Sequence, residues 1–556
     1  MVVLAAALSA VLALAVIVAG AQAHGTGGDG ATRPTHSAPN VDAPPAGPLA
    51  EVSRRSARAA KKGGHGHGEY VAGARSLGDT LFPQIGNGGY DVRSYEIELD
   101  YDPEANVFER GTETEIEARA TQNLREFSLD FQDLDVSRVE VNGRRADFEQ
   151  IEATPDLSDI PEVTQPMKLV VTPKGKARPR AGKKFEVEVS YSGAPEHITD
   201  PDTSIEGWIQ ACYPLDPPQT CDGAFVVNEP IGAQSWFPSN NYPTDKASFE
   251  TEVTVPDGKT AFGVGELASR KLNKDGTRTW RWVEDDPTAT YLTTATVGDF
   301  DNSFFRMSSS GKRLDVYNSI DSSATPDQVA AINATLDRVP EMLGFLIDRL
   351  GPYPFDSTGA VADRAAGVGY ALEVQTKPHY AGGFTSGNPG INSTIHLHEL
   401  AHMWIGDSVT LATWHEIWFN EGWATWFEWA WEFEDGTGDS PPEVFDAIYN
   451  DPAFDWSVAP AVLDNDPANL FHFDPVYQRP AMMLEGYRQI VGDERFFDFA
   501  RALVDEFGYG NISLNEFVDL AKDFSGLEGE QLELLDDYFQ EWLFLEAQPT
   551  ILPEDF

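Results

Sequence analysis

Apolar and polar residues follow three rhythms along this chain. Residues 2 to 20, VVLAAALSAVLALAVIVAG, carry no charge and are followed by Ala21-Gln22-Ala23, a small-x-small site that a signal peptidase could cut. The pattern predicts a signal peptide over 1–23. An uncleaved anchor is the alternative, because the span is long enough to cross a bilayer at about 1.5 Å per residue. From Tyr90 the rhythm becomes strict alternation, as in YDVRSYEIELDYD, TETEIEARATQ and FEVEVSYSG, with turn clusters such as Val141-Asn142-Gly143 between the runs. Alternation of this kind predicts strands with one buried face, so 79–301 reads as a β-rich domain. Beyond 302 a helical period is expected, and it starts clearly at Thr325-Pro326-Asp327-Gln328. There Thr325 can cap, Pro326 suits the first helical position and Gln328 can reach back. The stretch 302–550 is therefore expected to be a second, mostly helical domain, with 551–556 as a tail. The fold class is α+β multidomain.

Composition changes this picture in three places. Residues 24–78 are rich in Gly, Ala, Pro, Ser and Thr and cannot repay the entropy of ordering, so they read as a linker. The basic run Arg54, Arg55, Arg58, Lys61 and Lys62, and the pair His65 and His67, belong to that solvated linker. Acidic residues outnumber basic ones 89 to 40, a formal charge of −49, which would repel phosphate backbones and anionic lipid and excludes nucleic acid as a natural partner. The cysteines are 2 in number, Cys212 and Cys221, and with a signal peptide ahead of them they are expected to form a disulfide. Closing so short a loop contributes on the order of 2–3 kcal/mol, a local staple with no catalytic part.

The chemistry concentrates in IHLHELAHMWIG. His398 and His402 stand four apart, so on a helix both imidazoles leave the same face and can meet one ion. Glu421, 19 residues after His402 in WFNEGWATWFEW, is the candidate third ligand from a following antiparallel helix. Two imidazoles and a carboxylate suit zinc, one per chain, and three protein ligands leave a position open for water. Glu399 cannot reach the metal from its own position and is placed to take the water's proton and later pass it to the departing amine. His396 points to another face and reads as a supporting or surface residue, and His415 falls in the turn before the second helix. Trp404, Trp414, Trp418, Trp423, Trp426, Trp429 and Trp431 recur at helical spacings and read as core.

HELAH, eighteen intervening residues and Glu421 in NEGWATW together resemble the aminopeptidase N family of gluzincin metallopeptidases. Upstream, Tyr370-Ala371-Leu372-Glu373-Val374 resembles the family's G-A-M-E-N signature, with Tyr370 and Val374 in place of its Gly and Asn. VVNEPIGAQSWFPSNNYPTDKASF resembles the segment carrying a second substrate-binding Glu, here Glu229, and VYQRPAMMLEGYR the stretch whose catalytic tyrosine falls on Tyr477. The resemblance implies a β-saddle domain followed by a thermolysin-like zinc peptidase domain, a compact form lacking the large helical C-terminal domain of several members. It also implies an enzyme that acts on peptides with a free N-terminus, and the segment 1–23 adds the expectation that this enzyme is secreted. Glu229 and Glu373 would pair with the free ammonium, and Tyr477 would donate to the oxyanion. Two readings compete with it: a zinc endopeptidase using the same metal site, and a secreted binding protein whose site is inactive.

Overall fold

The computed structural model describes residues 68–556 except 158, 159, 161, 214–218, 310, 366 and 382–390. The expected signal peptide, and the linker up to residue 67 with its basic run and histidine pair, lie outside the described residues.

The alternating segments do form strands. A nine-stranded sheet runs in the order Glu266–Leu272, Thr277–Thr288, Ala247–Pro256, Tyr90–Asp102, Glu113–Ala120, Lys184–Ser192, Asp135–Val141 and Arg144–Arg145, with Val107–Phe108 paired to Tyr90–Asp102. Its inner face buries Tyr95, Ile97, Leu99, Ile116, Val187, Val189 and Val253. Its outer face is a field of glutamates. The register lines Glu250 up with Glu96, Glu96 with Glu115, Glu115 with Glu188 and Glu188 with Glu140, and beside that row Glu252 meets Glu98 and Glu98 meets Glu113. Like charges directly opposite are unfavourable, and among the described residues Arg281 and Arg138 reach into the rows, to Glu250 and Glu252 and to Glu140 and Glu188. Within a second sheet, Ile205–Tyr213 and Thr220–Val227 pair antiparallel with Cys212 opposite Cys221, and these two are disulfide-bonded as expected.

The region after 302 does not begin with helix. Phe300–Ser309 and Lys312–Asp321 form a hairpin, which continues through Ser357–Ala362 and His379–Tyr380 to Ala371–Leu372 as a five-stranded sheet. The first of these strands is exposed at most positions, so it lacks the alternating burial that would have marked it in the sequence. Helices follow: α1 (Pro326–Leu336), α2 (Val339–Leu350), α3 (Ser393–His402), α4 (Ile417–Asp435), α5 (Pro441–Tyr449), α6 (Arg479–Val491), α7 (Asp493–Phe507), α8 (Leu514–Ser525) and α9 (Glu530–Phe544). The expected capping box opens α1, with Thr325 and Gln328 satisfying each other's backbone N–H groups.

The seven singled-out tryptophans are all buried. Trp414 lies in a cluster that joins both halves of the molecule, where Leu81, Phe82, Ile231 and Tyr291 pack against Leu411, Trp414, Ile417 and Val458. The other six belong to the core of the helical half. The glutamate-bearing loop of the β-rich half is thereby held rigidly against the helices. No helix among the described residues is long and apolar enough to cross a membrane.

Candidate metal centre and substrate site

Helix α3 starts at Asn392, whose side chain accepts from Thr394 N and Ile395 N, and its ten residues carry His398, Glu399 and His402. Helix α4 follows a short 3-10 turn, Trp414–Glu416, and brings Glu421 against them. Trp431 Nε1 donates to Ser393 Oγ and Thr394 Oγ1 to Glu432 Oε1, fixing the two helices side by side. The predicted ligands converge: Glu421 Oε2 is 3.1 Å from His398 Nε2 and 3.6 Å from His402 Nε2.

The second nitrogen of each ring is already engaged. His398 Nδ1 donates to Glu428 Oε1 at 2.6 Å, and His402 Nδ1 to the Ile405 carbonyl at 3.1 Å. Carboxylate and carbonyl oxygens only accept, so each Nδ1 carries a proton; each Nε2 faces Glu421 Oε2, and there a metal would take the place of the Nε2 proton. Sequence reasoning missed Glu428; its signal was its place seven residues after Glu421, two helical turns along the same face. A buried imidazole from His402, a partly exposed imidazole from His398 and the buried Glu421 carboxylate, with ligand atoms all within 4.8 Å of one another, fit a zinc ion with a position left open. Burial works against charge on His398, but Glu421 and Glu428 outweigh it and hold the ring well above its ordinary range. Burial likewise opposes ionisation of Glu421, yet His402 and His398 bring its pKa down to about 2.

Two glycines permit this packing. At Gly422 a Cβ would lie 2.4 Å from Pro480 Cβ, so only glycine lets α4 touch the start of α6. At Gly406, with φ of +137°, a Cβ would stand 2.9 Å from His402 Nδ1.

Glu399 is buried beside the ligands, and burial pushes its pKa up to about 8 despite the His398 and His402 imidazoles. A carboxyl so placed can take up and release a proton near neutral pH. Tyr477 sits on a π-helical turn, Asp474–Gln478, just before α6; its ring stacks on His398 with centroids 6.2 Å apart and on Phe473 at 5.8 Å. Irregular turns of this kind re-aim side chains at functional sites.

Glu373 follows the short strand Ala371–Leu372, and Glu229 follows Thr220–Val227, so the two arrive from different halves of the molecule. Both are buried, and Oε1 of each has no hydrogen-bond partner among the described residues. Ligand oxygens of Glu229, Glu373 and Glu421 all lie within 4.8 Å of one another. Glu229 is 8% exposed, and burial followed by the Glu373 charge pushes its pKa well up. Val374, at the position of the family's Asn, is wholly buried in the β-rich core.

His396 is corrected in one respect: it is fully buried, not at the surface, and its Nδ1 is 2.5 Å from Tyr380 Oη. His415 lies in the 3-10 turn, next to Thr80, away from the ligands. Asp407 was missed altogether. It is buried, both its oxygens lack a hydrogen-bond partner among the described residues, and burial together with Glu373 pushes its pKa well up. Its signal was an acidic residue inside the otherwise apolar run after HELAH, where an unpaired charge is costly. Lys246 reaches across from the β-rich half and donates to the Asp407 and Ser408 carbonyls at 2.7 and 3.0 Å, pinning the chain just beyond α3.

Comparison with known proteins agrees with this geometry. The peptidase family M1 domain model matches residues 388–542, and the peptidase M1 N-terminal domain model matches residues 92–292. Probable aminopeptidase 1 of Sulfurisphaera tokodaii is 23% identical over 501 residues, covering 83% of this chain and 54% of that protein. Leucine aminopeptidase 2 of Yarrowia lipolytica is 25% identical over 430 residues, 73% of this chain and 60% of its own length. Human endoplasmic reticulum aminopeptidase 1 is 28% identical over 261 residues, 44% of this chain and 26% of its own. The chain thus spans between about a quarter and three fifths of these curated relatives. Among solved structures, an M1 zinc metallopeptidase from Deinococcus radiodurans aligns with a TM-score of 0.67 at 25% identity, covering 86% of this chain and 98% of that one. A two-domain M1 zinc metallopeptidase mutant bound to L-arginine aligns with a TM-score of 0.69 at 24% identity, over 86% and 99% of the two chains.

Proposed function

Because the chain belongs to peptidase family M1, we propose that it is a zinc aminopeptidase that removes the first residue from peptides outside the cell. One observation carries the exopeptidase part. Glu229 and Glu373 each bury a carboxylate oxygen that nothing among the described residues satisfies, right beside the metal ligands. A buried, unpaired carboxylate is costly unless a cation is meant to meet it, and the free ammonium of a peptide is such a cation. An endopeptidase with an open groove has no use for that pair.

The ligands of the zinc are His398, His402 and Glu421. When bound there, zinc would bring the pKa of a water toward neutrality and polarise the scissile carbonyl. Glu229 and Glu373 fix the ammonium by charge-assisted bonds, so the bond presented to the metal side is the first one in the peptide. Glu399 accepts a proton from the attacking water and delivers it to the departing amine, a task suited to a carboxyl whose pKa burial brings up to about 8. Tyr477 donates its phenolic hydrogen bond to the oxygen that gains charge; losing one such donor typically costs about 3–4 kcal/mol of transition-state stabilisation. Export is supported by the uncharged run at 2–20 with Ala21-Gln22-Ala23 behind it, and by the Cys212–Cys221 disulfide, which persists in oxidising surroundings.

The test is a panel of fluorogenic aminoacyl amides assayed with and without a chelator. Turnover that a chelator removes and added zinc restores is the expected result. Absence of chelator-sensitive turnover on every member would leave the inactive binding protein as the better reading.

A further inference from the structure

Two residues after Tyr477 stands Arg479, whose long side chain is wholly buried. Among the described residues it forms no ion pair with a carboxylate. Its guanidinium is held instead by main-chain oxygens: Nε donates to Trp542 O at 2.9 Å, Nη2 to Glu541 O at 2.8 Å and to Leu545 O at 2.6 Å, and Nη1 to Val458 O at 3.3 Å. Three of those carbonyls lie at the C-terminal end of α9, where the helix leaves carbonyls unsatisfied and the dipole favours a cation. A buried charge without a counter-ion is expensive, so this one is kept where its five donors do something an apolar side chain could not.

What it does follows from its neighbours. Val458 belongs to the long connection between α5 and the π-helical turn, and the Ala461 amide donates to Leu543 O at 3.0 Å on the same helix end. The end of α9 therefore grips the chain both before and after the turn that carries Tyr477. On the other side, Pro480 is pressed against Gly422, one residue from the ligand Glu421. The phenol is thus set between two fixed points, the metal helix α4 and the last turn of α9.

We propose that Arg479 is a positioning residue that sets the Tyr477 hydroxyl over the reacting carbonyl by clamping the π-helical turn to the carbonyls at the end of α9, which makes that helix end part of the catalytic apparatus. The proposal rests on the oxyanion role of Tyr477.

A double-mutant cycle tests it. Arg479→Lys keeps the charge but loses the planar fork that spans several carbonyls; it should lower kcat at least tenfold while KM changes less than twofold. In a Tyr477→Phe background the same substitution should change kcat less than twofold, because the hydroxyl it positions is already gone. A loss of equal size in both backgrounds would mean that Arg479 acts on folding or on the whole site, and would overturn the proposal. So would an unchanged kcat in the single variant, or failure of both Arg479→Lys and Arg479→Gln to accumulate as folded protein. Full kcat in Tyr477→Phe alone is a different result: it removes the oxyanion reading itself.

Discussion

Five carboxyl groups, Glu229, Glu373, Glu399, Glu421 and Asp407, are buried around two imidazoles. On the proposed reading a dication and an ammonium complete the site and offset that excess of negative charge, which otherwise pushes the carboxyls toward the neutral form. Glu373 is the residue on which the distinction between exo- and endopeptidase turns. Glu373→Ala should raise KM for aminoacyl amides at least tenfold and erase the preference for a free over an N-acetylated terminus. Measured kcat/KM on matched free and acetylated peptides decides it, and an undiminished preference for the free amine would remove Glu373 from the ammonium site. At this scale the sequence was legible where residue types sit at fixed spacing. His398, Glu399, His402 and Glu421 could be assigned because helical geometry turns spacing into direction. Glu428 and Asp407 could not, because a carboxylate on a helix face or in a loop looks the same whether it orients a ligand or is solvated.

Elements bring these residues together by close contact rather than by long reach. The glycine after Glu421 is a packing requirement: α4 meets α6 at Gly422 and Pro480, and so places the ligand and Tyr477 in one rigid corner. Gly422→Ala should therefore destabilise by about 1–3 kcal/mol through overpacking, and the displaced helix should lower kcat as well. Denaturant unfolding with parallel kinetics checks this, and a variant with wild-type stability and kcat would show that the corner has slack. The helices around the site could be read from caps and apolar spacing. The hairpin at Phe300–Ser309 and Lys312–Asp321 could not, because its outer strand is exposed at most positions and lacks strict alternation of burial. The π-helical turn Asp474–Gln478 was not read from the sequence either.

For the whole molecule, the rows of glutamate across the large sheet concentrate acidity on one surface: Glu96, Glu98, Glu113, Glu115, Glu188, Glu250 and Glu252 share one face. Such a surface keeps the protein soluble and repels anionic polymers, and it lies on the face of the sheet opposite the core that supports Glu229. The β-rich half contributes Glu229 and Lys246, the helical half contributes Glu373, Glu399, Tyr477 and the metal ligands, and the shared apolar seam makes them one site. Everything functional then depends on one ion at His398, His402 and Glu421. Metal analysis of the purified protein is the most direct test: one zinc per chain is expected in the wild type and in Glu399→Gln, and close to none in His402→Ala. Zinc retained in full by folded His402→Ala, or no zinc in an active wild-type preparation, would contradict the account.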